Sequence, residues 1–147
     1  MFLLDTNVLS HIAPARRRTD ADEALAAWIV SHSDELWFSV ITAAEIEDGI
    51  AKAMRTGATR KAAGLAEWWG EVRHYYADRI LPLDIEVAQE AGRVMDKARA
   101  AGISPSFEDV AIAATGKTHG LVVLTRNVKD FDPLNVKYHN PFDALPD

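Results

Sequence analysis

The chain has 147 residues, 48% of them hydrophobic and 26% charged, with 22 acidic against 16 basic side chains and no cysteine. That length and composition suit one compact domain over residues 1–147 and exclude disordered or collagen-like classes. The missing cysteines exclude disulfides, thiolate metal sites and cysteine nucleophiles, and they fit a reducing compartment, so a cytoplasmic location is expected. A net charge of −6 argues against coating duplex phosphates by charge alone.

Phe2-Leu3-Leu4 reads as a short buried strand ending at Asp5. With no basic region before it and no cleavage site after it, this apolar start is not a signal peptide, and no run of about 18 apolar residues predicts a membrane span. Asp5-Thr6-Asn7 offers helix-capping oxygens ahead of Val8, Leu9 and Ile12, and Pro14 closes that short helix. Arg16-Arg17-Arg18 is a loop, after which Asp20 or Asp22 opens a helix through Leu25, Trp28 and Ile29. Leu36 to Val40 reads as a second strand. Thr42 and Glu45 then form a Thr-x-x-Glu capping box, starting a helix that ends near Gly57.

From Thr59 to Asp78 an apolar stripe of Ala62, Leu65, Trp69, Val72 and Tyr76 predicts a long amphipathic helix. Arg79 to Leu83 reads as a third strand, with Pro82 pointing to an edge or a strand end. Asp84 caps a helix running to Gly102, and Ser104-Pro105-Ser106 starts another that ends at His119-Gly120. Leu121 to Thr125 is a continuous apolar run, as in a parallel strand covered on both faces. A last short strand falls around Val136–Tyr138. Strands alternating with helices predict an α/β class: a three-layer α/β/α sandwich around a mostly parallel sheet.

In such sheets ligands bind outside the carboxyl ends of the strands. Asp5 ends the first strand, Glu45 lies in the first turn after the second, and Asp109 lies in the helix leading to the fourth. Asn127 and Asp130 follow that fourth strand. Each has a plain structural reading. Asp5 could serve as an N-cap, Glu45 as half of its capping box, Asp109 as a partner of Ser106, and Asp130 as a turn residue. Those readings explain the residues singly but not their convergence on one sheet edge. Gathered carboxylates repel by about 4 kcal/mol per pair at 4 Å and a dielectric near 20, so they need a cation or raised pKa values. All-oxygen donors select Mg²⁺ or Mn²⁺, which points to metal-dependent phosphoryl chemistry.

Four segments carry a family resemblance. Leu3-Leu4-Asp5-Thr6-Asn7-Val8-Leu9-Ser10 resembles the opening of PIN-domain toxins of the VapC type, including the FitB-like group. Ser39 to Ile46 with Gly49, then Glu108 to Thr115 with His119-Gly120-Leu121, resemble the second and third segments. Thr125-Arg126-Asn127-Val128-Lys129-Asp130-Phe131 resembles the fourth, and Asn140-Pro141-Phe142 the usual ending.

The resemblance implies a PIN fold and a Mg²⁺-dependent endoribonuclease, with Mn²⁺ able to substitute, acting as the toxin of a toxin–antitoxin pair. It assigns Asp5, Asp109 and Glu45 to the metal centre. The fourth acidic place falls on Asn127 or Asp130, with Asn7 and Thr125 as supporting residues. It also implies an RNA substrate, a cognate antitoxin, a homodimer and no membrane partner. Adjacent aromatics on a helix point about 100° apart, so one each of Trp68-Trp69 and Tyr75-Tyr76 should leave the core. In this family the equivalent helices form the antitoxin groove.

Other motifs are set aside. Gly116-Lys117-Thr118 lacks the earlier glycine of a phosphate-binding loop, since Ala111 stands there. His11, His32, His74, His119 and His139 show no zinc spacing, and Arg16-Arg17-Arg18 reads as a solvated loop. Two competing functions are a catalytically silent PIN-like module that binds RNA or protein, and a receiver-type phospho-acceptor domain using Asp84. Thr125-Arg126-Asn127, where a receiver needs a lysine, argues against the latter.

Overall fold

The computed structural model describes residues 1–14 and 17–147, so Arg16 of the basic triplet lies outside the described residues. Five strands, β1 (Phe2–Leu4), β2 (Leu36–Ser39), β3 (Ile80–Leu81), β4 (Val122–Leu124) and β5 (Tyr138–His139), form a parallel sheet in the order β3-β2-β1-β4-β5. The central strand β1 pairs Phe2 with Leu36 on one side and Leu4 with Leu124 on the other.

Alternation along the strands divides the core. Leu3 and Val123 face a cluster with Val87, Val94, Val110 and Phe131. Leu4 and Leu124 face the opposite cluster, with Val8, Leu25, Trp28 and Trp69. The first cluster is covered by α5 (Ile85–Ala100), α6 (Phe107–His119) and α7 (Val128–Phe131). The second is covered by α1 (Thr6–Ser10), α2 (Asp20–Ser31), α3 (Val40–Arg55) and α4 (Thr59–Tyr75). This is the expected three-layer sandwich, with every strand parallel. No helix among the described residues is long and apolar enough to cross a membrane.

Gly116 owes its place to packing. A Cβ there would meet the Val123 side chain at 2.9 Å, so the missing side chain lets α6 lie close on β4. Gly120, at φ 66°, then closes α6 in the left-handed conformation.

The Thr42–Glu45 capping box does not form. The second strand stops at Ser39, and α3 starts at Val40 with the Ser39 hydroxyl accepting from the Ile41 amide at 3.1 Å. The Ser39 hydroxyl, three residues upstream at the strand end, takes the cap, so Thr42 falls inside the helix and is buried. A reciprocal box exists elsewhere: Thr19 caps α2, and Asp22 returns to the Thr19 amide at 2.8 Å. The long fourth helix stops at Tyr75, and a 3-10 turn over Ala77–Arg79 leads into a strand of two residues only. The final strand is Tyr138–His139, slightly later than the sequence pattern suggests.

Candidate active site

The carboxyl ends of β1, β2 and β4, the first turns of α1 and α6 and the second turn of α3 build the site. Asp5 follows β1 and caps α1, its Oδ1 accepting from the Thr6 amide at 2.7 Å. Its Oδ2 accepts from Asn7 Nδ2 at 2.6 Å and from the Thr125 hydroxyl at 2.8 Å. The capping reading of Asp5 is therefore true but incomplete, because capping uses one oxygen while a strand 120 residues away aligns the other.

Thr125 is fully buried and acts as a hub. Its hydroxyl oxygen donates to Asp5 and accepts from the Asn127 amide at 3.0 Å, with Asn7 Nδ2 at 3.3 Å. Asn7 in turn accepts at Oδ1 from the Arg126 amide at 3.0 Å. Asn7 and Thr125 thus hold Asp5 in place.

Glu45 stands in the second turn of α3, where the Thr6 hydroxyl donates to its Oε1 at 2.8 Å. That hydroxyl also lies 3.1 Å from the Thr42 hydroxyl. Thr6, given no role of its own by the sequence reading, links Glu45 to Asp5 through its hydroxyl and its amide; its only signal was its place next to that aspartate. Asp109 lies in the first turn of α6, whose cap is the Ser106 hydroxyl accepting from the Asp109 amide at 3.2 Å. The Asp109 amide serves the cap, and among the described residues no reciprocal bond returns from its carboxylate to the Ser106 amide.

The fourth position divides between two residues. The Asn127 amide and carbonyl are engaged locally: the amide bonds Thr125, and the carbonyl accepts from the Asp130 amide at 2.9 Å. That turn brings Asp130 alongside Asp109, where both line one depression with Ser106 and Lys129.

The carboxyl groups sense burial and one another. Burial, only partly offset by the Thr125 and Thr6 bonds, raises Asp5 to about 6, and the charges of Asp109 and Glu45 add to the rise. Glu45 is pushed up by partial burial, against the Thr6 bond, and then by Asp109 and Glu108. Asp109 is pushed up by burial, then by Asp130 and Glu108, with Ser106 acting the other way. As the side chains stand, no three of Asp, Glu or His among the described residues are close enough together to grip one ion. Their chemistry nevertheless fits a hard divalent cation: all the donors are oxygens, and their shared repulsion is relieved by positive charge.

Asp84, the acceptor a receiver domain would need, caps α5 with its Oδ1 on the Val87 amide at 3.0 Å. It follows the edge strand, away from Asp5.

A profile for the PIN domain matches residues 2–134. The chain belongs to the PIN-domain family. Among its relatives are the VapC ribonuclease Y4jK of Sinorhizobium fredii, 35% identical over 97% of this chain and 99% of that protein, and the toxin FitB of Neisseria gonorrhoeae, 33% identical over 97% and 99%. The crystal structure of FitAcB from Neisseria gonorrhoeae superposes with a TM-score of 0.84 at 33% identity, covering 97% of this chain and 99% of that one. The four sequence segments thus identify a PIN domain of the VapC and FitB toxins, and the parallel sheet carries that fold.

Proposed function

We propose that this PIN domain is a Mg²⁺-dependent endoribonuclease, the toxin of a toxin–antitoxin pair, acting on RNA phosphodiester bonds. The observation that carries the reading is the convergence of Asp5, Glu45 and Asp109, from three separate elements, into a group whose carboxyls are all pushed up by burial and by neighbouring negative charge. The ribonuclease and toxin names of relatives matching nearly full length support the same reading.

Asp5, Glu45 and Asp109 would hold the ion, with Asp130 reaching it through water. A divalent ion there supplies charge stabilisation for a phosphoryl transition state and a more acidic water. The protein supplies alignment. Asp5 is pinned by three donors and cannot swing away, and Glu45 is turned by Thr6. Asp109 stands between that pair and Asp130.

An antitoxin would occupy the cleft of about 380 Å³ beside the site, lined by Glu45, Ile46, Ile50, Lys61, Leu65 and Trp68. Trp68 is half-buried there while Trp69 is buried, and Tyr75 is exposed while Tyr76 is buried. Tyr75 has therefore left the core, as the helical spacing predicts, while Trp68 still packs against the core edge. We further read the 147 residues as one domain acting in the cytoplasm as a homodimer.

The deciding experiment is cleavage of total cellular RNA by the purified chain with Mg²⁺, with Mn²⁺ and with EDTA. Cleavage stopped by EDTA and by Asp5→Asn supports the reading. Cleavage that persists in EDTA, or in Asp5→Asn, refutes the metal mechanism.

A further inference from the structure

Behind α1 lies a buried ionisable pair that the proposed chemistry does not use. His11 and Asp22 are 7% and 2% exposed, and His11 Nδ1 lies 2.9 Å from Asp22 Oδ1. Asp22 is held down to about 2, first by the Thr19 amide and then by His11, so it is a carboxylate at neutral pH. On the other side of the ring, Arg126 Nη1 lies 3.0 Å from His11 Nε2. A guanidinium only donates, so Nε2 must be the acceptor and the ring proton must sit on Nδ1, donated to Asp22. Asp22 thus selects the tautomer that can receive Arg126.

Arg126 is also held from two other directions. Its guanidinium lies over the Phe142 ring at 5.5 Å, and its amide bonds Asn7, which bonds Asp5. None of the ion pairs among the described residues includes Arg126, although the chain carries six more acidic than basic groups. It is exposed, and the His11 contact engages one of its five donors. A guanidinium fork fixed in a plane, without a carboxylate partner, matches the geometry of a phosphate, the anionic group of a nucleic acid.

We propose that Arg126 binds an RNA phosphate next to the scissile one, and that Asp22 and His11 are positioning residues that fix its guanidinium through the ring tautomer. The inference rests on the ribonuclease reading. It adds a fixed cationic contact beside carboxylates that repel an approaching strand.

The test combines nitrogen NMR of His11 with binding of a fluorescent single-stranded oligoribonucleotide, measured in EDTA to prevent cleavage. Wild-type His11 should show its proton on Nδ1. Asp22→Asn presents an amide donor to Nδ1, so the proton should move to Nε2 and displace Arg126. Arg126→Ala should weaken RNA binding by about tenfold and lower the salt slope by about 0.7. Asp22→Asn should lose a similar factor, and the double variant should be no weaker than Arg126→Ala alone. His11→Gln, which can still offer an oxygen to Arg126, should bind better than His11→Asn.

Losses that add in the double variant, or a wild-type proton on Nε2, would overturn the positioning role. A wild-type chain that cleaves RNA beside an Arg126→Ala variant with unchanged affinity would overturn the phosphate contact alone. A wild-type chain that neither binds nor cleaves RNA would overturn the ribonuclease reading and this inference with it.

Discussion

Asp5 should make the metal-free protein more stable in mild acid than at neutral pH. Its carboxyl is raised from an ordinary 3.8 to about 6 in the fold, so the folded state holds the proton more tightly than the unfolded chain. The contribution is fully present below the ordinary value and is lost as pH rises through about 6. The whole span corresponds to about 3 kcal/mol, of which about 1.4 kcal/mol falls between pH 7.5 and 5. Asp5 is only 4% exposed, so solvent screens little of this. The melting temperature should rise by roughly 3–6 °C on that change. Glu45 and Asp109 are pushed in the same direction, so the quantity to read is the difference between wild type and Asp5→Asn. Thermal melts in EDTA at half-unit pH steps give it, and Mn²⁺ should remove most of the slope by replacing the proton. An Asp5→Asn protein with the wild-type pH slope would refute the assignment of the strain to this carboxyl.

Thr125→Val should cost about 2–4 kcal/mol in denaturant melts, since it removes a bond to a charged group and strands the Asn127 amide. It should also move the Asp5 step to higher pH, because the Thr125 bond is the largest influence holding Asp5 down. Glu45→Gln and Asp109→Asn should each lower RNA cleavage by about 10²–10³-fold, measured as initial rates on one oligoribonucleotide; a near-normal rate would return that residue to a structural role. Asp130→Asn should reduce the rate more than Asn127→Ala, whose amide and carbonyl bonds survive the change. Trp68→Glu should weaken a co-expressed antitoxin by about 2 kcal/mol or more in titration calorimetry while leaving RNA cleavage intact, whereas Trp69→Ala should cost about 3–5 kcal/mol of stability.

The sequence by itself determined the layer architecture and the edge on which the site lies. The apolar run Leu121–Leu124 marks a strand covered on both faces because it is short, rich in β-branched residues and preceded by Gly120, and the stripe of α4 marks an amphipathic helix because it repeats at three- and four-residue steps. The parallel sheet then sends Asp5 and the residues after β2 and β4 to the same edge. Local propensity failed where two hydroxyls competed for one helix start: Ser39 and Thr42 both make acceptable caps, and the strand length of β2 made the choice. What only the tertiary structure decided is who holds whom across long separations. Thr6 reaches Glu45, Thr125 reaches Asp5, and Arg126 reaches His11, over 39, 120 and 115 positions. No local pattern encodes those bonds, because they depend on the order β2-β1-β4 that sets the three chain ends side by side. The raised carboxyl of Asp5 has the same origin, since burial comes from the layers packed around β1 and not from its neighbours in sequence.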